Sequence, residues 1–166
     1  VLNRFTTIEK MLEIVGTEEM PMSEPSFWED KNDALIMELY RNTKKLKTLY
    51  AICFTKGSET IYHWSAFSSK SEACCIEIAA DELLSEYSSK EGFTAREVDY
   101  VKLNHLKTKV TDTNQMPFIK RYPYRNEEEY RIIFESKRSI NRPSLIIHRT
   151  AIKKITINQH LPRIVF

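Results

Sequence analysis

The chain has 166 residues, of which 42% are apolar and 29% charged; this excludes a disordered tail and a membrane-embedded bundle and leaves room for one domain with a real core. A formal net charge of +2 and a pI near 8.4 are too mild to imply a polyanionic partner without clustering, so nucleic acid is not indicated. No apolar run approaches the roughly 20 residues that cross a bilayer, and VLNRFTTIEK lacks the basic start, apolar middle and cleavage site of a secretory signal, so no membrane is expected and the default location is cytoplasmic.

In chain order, the first residues read as a short strand or loop. Thr6-Thr7-Ile8-Glu9 has capping-box spacing, after which Ile8, Met11, Leu12 and Val15 recur at helical period until Gly16 offers a stop. EMPMSEP (19–25) alternates and predicts a short edge strand. In the turn-rich PSFWEDKND, Asn32 or Asp33 is placed to cap a second helix with an apolar stripe of Leu35, Ile36, Leu39 and Tyr40. The lysines of RNTKKLKTLY (41–50) suit the negative end of that helix and predict a solvated terminus.

LYAICFT (49–55), nearly all apolar, predicts a strand covered on both faces, and ETIYHWSAF a helix of about two turns. ACCIEIA (73–79) reads as an interior strand, ADELLSEYSSK as a helix with an acidic start, and FTAREVDYVKL as a strand. The weakly patterned stretch 104–116 is helix or loop. YRIIFES, SLIIHR and KKITINQ are strands, with TAIKK a helical turn between the last two. The irregular alternation, without a βαβ period, predicts an α+β fold, a single domain over 1–166 with helices packed on a mixed, mainly antiparallel sheet. A first residue other than Met and the apolar end LPRIVF predict continuation beyond one or both ends.

Cys53, Cys74 and Cys75 are odd in number and without a CxxC, which argues against a disulfide framework or a zinc site and for reduced core thiols. Three glycines leave no phosphate-cradling loop. His105, His148 and His160 show no ligand spacing, so no metal cofactor is expected. His63, beside Trp64, reads as a structural histidine. Asp30, Asn32 and Asp33 offer oxygen ligands, but turn residues of these types commonly serve as caps.

The most informative stretch is PYRNEEEYRIIFE (123–135). In a strand, alternate side chains share a face, which puts Glu127, Glu129 and Arg131 in one row and Glu128, Tyr130 and Ile132 in the other. If Ile133 carries the first row into the core, two acids and a guanidinium sit at the rim of a buried face. Burial and the neighbouring guanidinium then shift the carboxylate pKa values, as general-base or cation-stabilising chemistry requires. Left in solvent, the same row is a cross-strand ion pair worth about 0–1 kcal/mol.

As an ordered set, RFTTIEKMLEI, PSFWEDKND, ICFT, HWSAF, CCIEI, PFIKRYPY and EEEYRIIF resemble a bacterial domain-of-unknown-function family over nearly the whole chain. The matching positions are Arg4, Phe5, Thr6, Trp28, Asp30, Asp33, Cys53, Phe54, Trp64, Phe67, Glu127, Glu129 and Arg131; Asn3 and Ala73 depart from the pattern. The order is also similar to that of ADP-ribosyltransferases. That resemblance implies NAD as co-substrate, with Arg4 and Thr6 on the NAD ribose, Trp64 or Phe67 stacked on nicotinamide, and Glu129 or Glu127 stabilising an oxocarbenium-like transition state; Arg131 joins the candidate catalytic residues through its place in the strand row. It further implies a toxin or phage-defence effector with a protein or nucleotide substrate.

Three classes of function compete. An NAD-consuming transferase or glycohydrolase requires Arg4, Trp64 and Glu129 to meet in one cleft. A non-catalytic module that binds a protein partner requires Glu127, Glu129 and Arg131 to pair on an open surface. A metal-dependent nuclease requires three carboxylates within about 5 Å of a common point, drawing on Asp30, Asp33 and the glutamates. Charge at the mouth of an apolar strand is destabilising unless it is used, which favours the enzyme. Oligomeric state is not legible.

Overall fold

A long apolar strand in the middle of the chain, Thr48–Thr55, organises the molecule. The computed structural model describes residues 1–67, 73–105 and 112–158. The first half of the chain runs β1 (Leu2–Thr7), α1 (Ile8–Thr17), β2 (Glu19–Pro21), α2 (Lys31–Lys44), β3 (Thr48–Thr55), α3 (Ile61–Phe67), β4 (Ala73–Ile78) and α4 (Ala80–Tyr87). There follow β5 (Phe93–Glu97), β6 (Asp99–Val101), β7 (Ile119–Arg121), β8 (Glu129–Ser136), β9 (Ser144–Ile146) and β10 (Ile152–Ile157).

Six strands form one antiparallel sheet in the order β10-β4-β1-β3-β8-β5. β2 pairs with β9 antiparallel, and β6 with β7 in parallel. The fold is α+β, and its parallel pairing is confined to the small β6–β7 ladder among the described residues.

Alternation along β3 and β8 explains their near-continuous apolar character. Ile52, Phe54 and Ile132 enter one core, shared with Met11 and Ile14 of α1 and Leu83 and Tyr87 of α4. Leu49, Ala51 and Ile133 enter a second, shared with Met37 and Tyr40 of α2. Both faces of the strands are therefore covered, as the composition of LYAICFT predicts.

Several local expectations are corrected. The cap of α1 is Thr7 and not Thr6: the Thr7 side chain accepts from the Lys10 N–H at 3.3 Å while its backbone closes the β1–β4 ladder opposite Ala73. The helix runs past Gly16 and stops at Glu18, whose left-handed backbone (φ 59°) sends its N–H to the Ile14 carbonyl. α2 is capped by Asp30, which accepts from the N–H groups of Asn32 and Asp33, so neither of these is the cap.

Its buried face is Asp33, Met37 and Tyr40, while Leu35 and Leu39 are 59% and 49% exposed. The helix is turned this way because Asp33 answers a buried guanidinium: an unpaired internal charge costs more than two exposed leucines. FTAREVDYVKL divides into β5 and β6, which belong to different sheets. The end of 104–116 enters a 3₁₀ segment, Thr113–Phe118, and 106–111 lie outside the described residues, as does His160.

Candidate functional site

β8 begins where β3 ends. Thr55 is opposite Glu129 and Cys53 opposite Arg131, so the row Ile133, Arg131, Glu129 passes from apolar core to charge along one face of the sheet. Arg131 is fully buried and its donors are engaged. Its Nε meets Glu129 Oε1 at 2.7 Å, its two terminal nitrogens meet the Asp33 oxygens at 3.1 and 2.7 Å, and Nη1 also donates to the Pro117 carbonyl at 2.7 Å. The fork-on-fork pairing with Asp33 anchors α2 to β8.

Glu127 does not belong to the strand. It ends the 3₁₀ segment Tyr122–Glu127, and Glu128 then adopts a left-handed conformation (φ 42°) that restarts the chain as β8. Simple alternation therefore fails at this point. Glu127 nevertheless lies on the same side as Glu129, because both reach one ammonium: Lys120 Nζ is 2.6 Å from Glu127 Oε2, 3.3 Å from Glu129 Oε2 and 3.7 Å from Asp33 Oδ2. Lys120 comes from β7, outside the main sheet, and stands over the Tyr124 ring at 5.3 Å. The Tyr100 hydroxyl accepts from the Glu129 N–H at 2.8 Å and fixes the first residue of β8.

Three carboxylates thus share Lys120 and Arg131. Burial opposes ionisation of Glu129, but the charge and hydrogen bond of Arg131, with Lys120, bring its carboxyl down to about 2. Glu127 meets Lys120 alone. Burial raises its pKa, and the carboxylates of Glu129 and Asp33 add to that against the lowering by Lys120. Burial works against the Lys120 ammonium, yet Glu129, Glu127 and Asp33 hold it firmly protonated. Two neighbouring glutamates are thus driven in opposite directions, Glu129 downward by Arg131 and Lys120 and Glu127 upward by burial.

The sheet opens beside this cluster. β1 and β3 are paired only between Asn3 and Thr55, and the Arg4 guanidinium donates to the Cys53 carbonyl at 2.7 Å in the fork where they part. A cleft of about 600 Å³ lies over the fork. Arg4, Lys120, Glu127 and Glu129 line its charged part, and Phe5, Trp28, Tyr62 and Tyr124 its aromatic part. The size is that of a small-molecule site.

Of the residues expected from the sequence, Arg4, Glu127 and Glu129 converge on this cleft. Arg131 lies behind it as the group that orients Glu129 and Asp33. Thr6 and Trp64 are not among the lining residues. Thr6 faces Cys74 in the β1–β4 register, while Trp64 donates to Glu59 and meets the Phe5 ring edge-on at 5.2 Å. On α3 it is Tyr62 that looks into the cleft, two residues and more than half a turn away. The Phe67 side chain lies outside the described residues. Trp28 supplies the large aromatic surface instead.

His63 is buried, with its ring nitrogens at the Thr60 hydroxyl and the Asn126 carbonyl. Lys120 and the inward role of Asp33 escaped sequence reasoning. The lysine sits in PFIKRYPY, and the one available sign was a cation in the motif just upstream of three glutamates.

The charged groups pair, as a binding module would require, but they do so buried and beside a cleft; Glu127 and Glu129 are each 5% exposed. Among the described residues, no group of three His, Cys, Asp or Glu side chains is arranged to hold a metal ion, and none of the helices is long and apolar enough to cross a membrane. Comparison of the chain with protein-family models, with curated proteins and with solved structures finds no match.

Proposed function

We propose that the cleft is the active site of an NAD-consuming enzyme, an ADP-ribosyltransferase-like transferase or an NAD glycohydrolase. The observation that supports this reading above others is the divided pair of glutamates: neighbouring carboxyls whose environments push their pKa values apart are suited to separate acid–base and electrostatic roles. Glu129, ionised throughout the physiological range, stabilises the cationic ribosyl centre as the bond from ribose to nicotinamide lengthens. Glu127, with its raised pKa, accepts the proton from the attacking water or acceptor hydroxyl. Nicotinamide leaves with the bonding electron pair, and the new bond forms from the acceptor oxygen to the ribose carbon. Arg4 spends one N–H on the Cys53 carbonyl and offers the remainder to an anionic part of the ligand.

The test is incubation of the protein with NAD while free nicotinamide and the thermal midpoint are followed. Wild type is expected to release nicotinamide, and Glu127→Gln and Glu129→Gln to lose about 100-fold or more of that rate, with folding checked by circular dichroism. Absence of both release and thermal shift in wild type at millimolar NAD defeats the reading.

A further inference from the structure

We infer that the outer face of Trp28 is a stacking subsite for a planar, uncharged heteroaromatic ring of the ligand. The inference rests on the nucleotide reading for its ligand class and on the indole's own setting for its place. Trp28 lines the cleft and is only partly buried. Its inner face is already occupied: the Arg131 guanidinium lies 4.9 Å from the ring centroid, fully buried and absent from the cleft wall. The side of the indole away from Arg131 is therefore the one presented to the cavity.

The ring is also locked before any ligand arrives. Its Nε1–H donates to the Ser23 hydroxyl at 3.0 Å, and that hydroxyl donates in turn to the Ala51 carbonyl at 3.0 Å, while the Ser23 backbone forms a two-bond bridge to Ala51 of β3. A rigid aromatic surface tied to the central strand loses little entropy on binding. The adjoining 3₁₀ turn Pro25–Phe27 holds Phe27, 81% exposed, at the rim of the same cleft.

The chemistry of the ring that fits follows from what is engaged. The indole N–H and the Ser23 hydroxyl are satisfied within the protein, so the indole itself offers a ligand a π face and not a donor. Stacking of that kind tolerates any base, because every base has a π face. A cation already sits on the inner face, so a neutral ring is favoured over a second cation. The stack by itself distinguishes a ligand with a ring from one without.

The chain has two tryptophans, so Trp64→Phe leaves Trp28 as the sole indole reporter. In that background, AMP is expected to quench the emission saturably and ribose 5-phosphate to leave it unchanged. Trp28→Leu is expected to weaken AMP binding about 10-fold by calorimetry, and Trp28→Phe to restore it to within about 3-fold, as loss and recovery of one stacked ring require. Absence of saturable quenching by AMP, equal quenching by ribose 5-phosphate, or unchanged AMP affinity in a folded Trp28→Leu protein overturns the subsite. NAD cleavage with the wild-type KM in Trp28→Leu overturns it while the enzymatic reading stands; AMP quenching without any NAD cleavage upholds it while that reading falls.

Discussion

Arg131 is a guanidinium buried without solvent contact, so its partners decide whether the fold tolerates it. It is wholly enclosed, it is held by Asp33 and Glu129, and its removal leaves two carboxylates buried with only Lys120 between them. Arg131→Met is expected to destabilise the fold by about 3–5 kcal/mol in a denaturant titration, as loss of one partner from a buried ionic cluster does. Arg131→Lys should recover only part of this, because an ammonium cannot reproduce the planar fork that Asp33 and Glu129 grip. The acid limb of stability belongs to Glu129. Its folded pKa, about 2, lies below the unfolded value, so its contribution is complete above about pH 4.3, on the order of 3 kcal/mol, and drains away as pH falls toward 2. Glu127 has the opposite sign: raised on folding, its contribution is complete below the unfolded value and fades as pH rises through the folded one. Thermal midpoints measured from pH 2 to 7 should lose the acid slope in Glu129→Gln and gain stability on the neutral side in Glu127→Gln; curves superimposable on wild type would contradict both assignments.

At the scale of elements, α2 shows why a hydrophobic stripe is an incomplete guide to a helix face. Leu35, Ile36, Leu39 and Tyr40 are spaced as an inward stripe, yet Asp33, Met37 and Tyr40 point inward. Met37→Ala is therefore expected to cost about 2–5 kcal/mol, and Leu35→Ala less than about 0.5 kcal/mol, by urea unfolding. The reverse order would mean that the helix is rotated. Asp30→Ala should cost about 1 kcal/mol through loss of the cap, with a further loss at the site because the same cap sets the position of Asp33. Strands were more legible than helices. In LYAICFT and YRIIFES the apolar runs state that both faces are covered, and period two needs no knowledge of neighbours to say which residues share a face. Where period two breaks, at Glu128, the left-handed residue carries no signature that distinguishes it from its flanking glutamates.

At the scale of the molecule, two apolar cores among the described residues lie on opposite faces of one antiparallel sheet, and the polar cluster terminates the second of them. Cys74 and Cys75 lie mid-sheet between β1 and β10, where burial pushes their thiols up to about 11 and about 12; Cys53, half-buried on the cleft wall beside Glu129, is raised as well. Cys74 and Cys75 should therefore resist an aromatic disulfide reagent at pH 8 and become reactive only in step with global unfolding; rapid reaction of either thiol in a native Cys53→Ser protein would disprove this protection. Composition, strand periodicity and the absence of phosphate loops determined the α+β class, the two-sided central strands and the row of charge on β8, because these depend on local alternation and on how much apolar surface the chain must hide. Tertiary structure alone decided that Lys120 and Asp33 join that row, that Trp28 and not Trp64 faces the cleft, and that β1 and β3 part at Asn3 and Thr55. Those relations join residues up to about a hundred positions apart, and the electrostatic need of one buried guanidinium, which chooses among them, exists only once the sheet has formed.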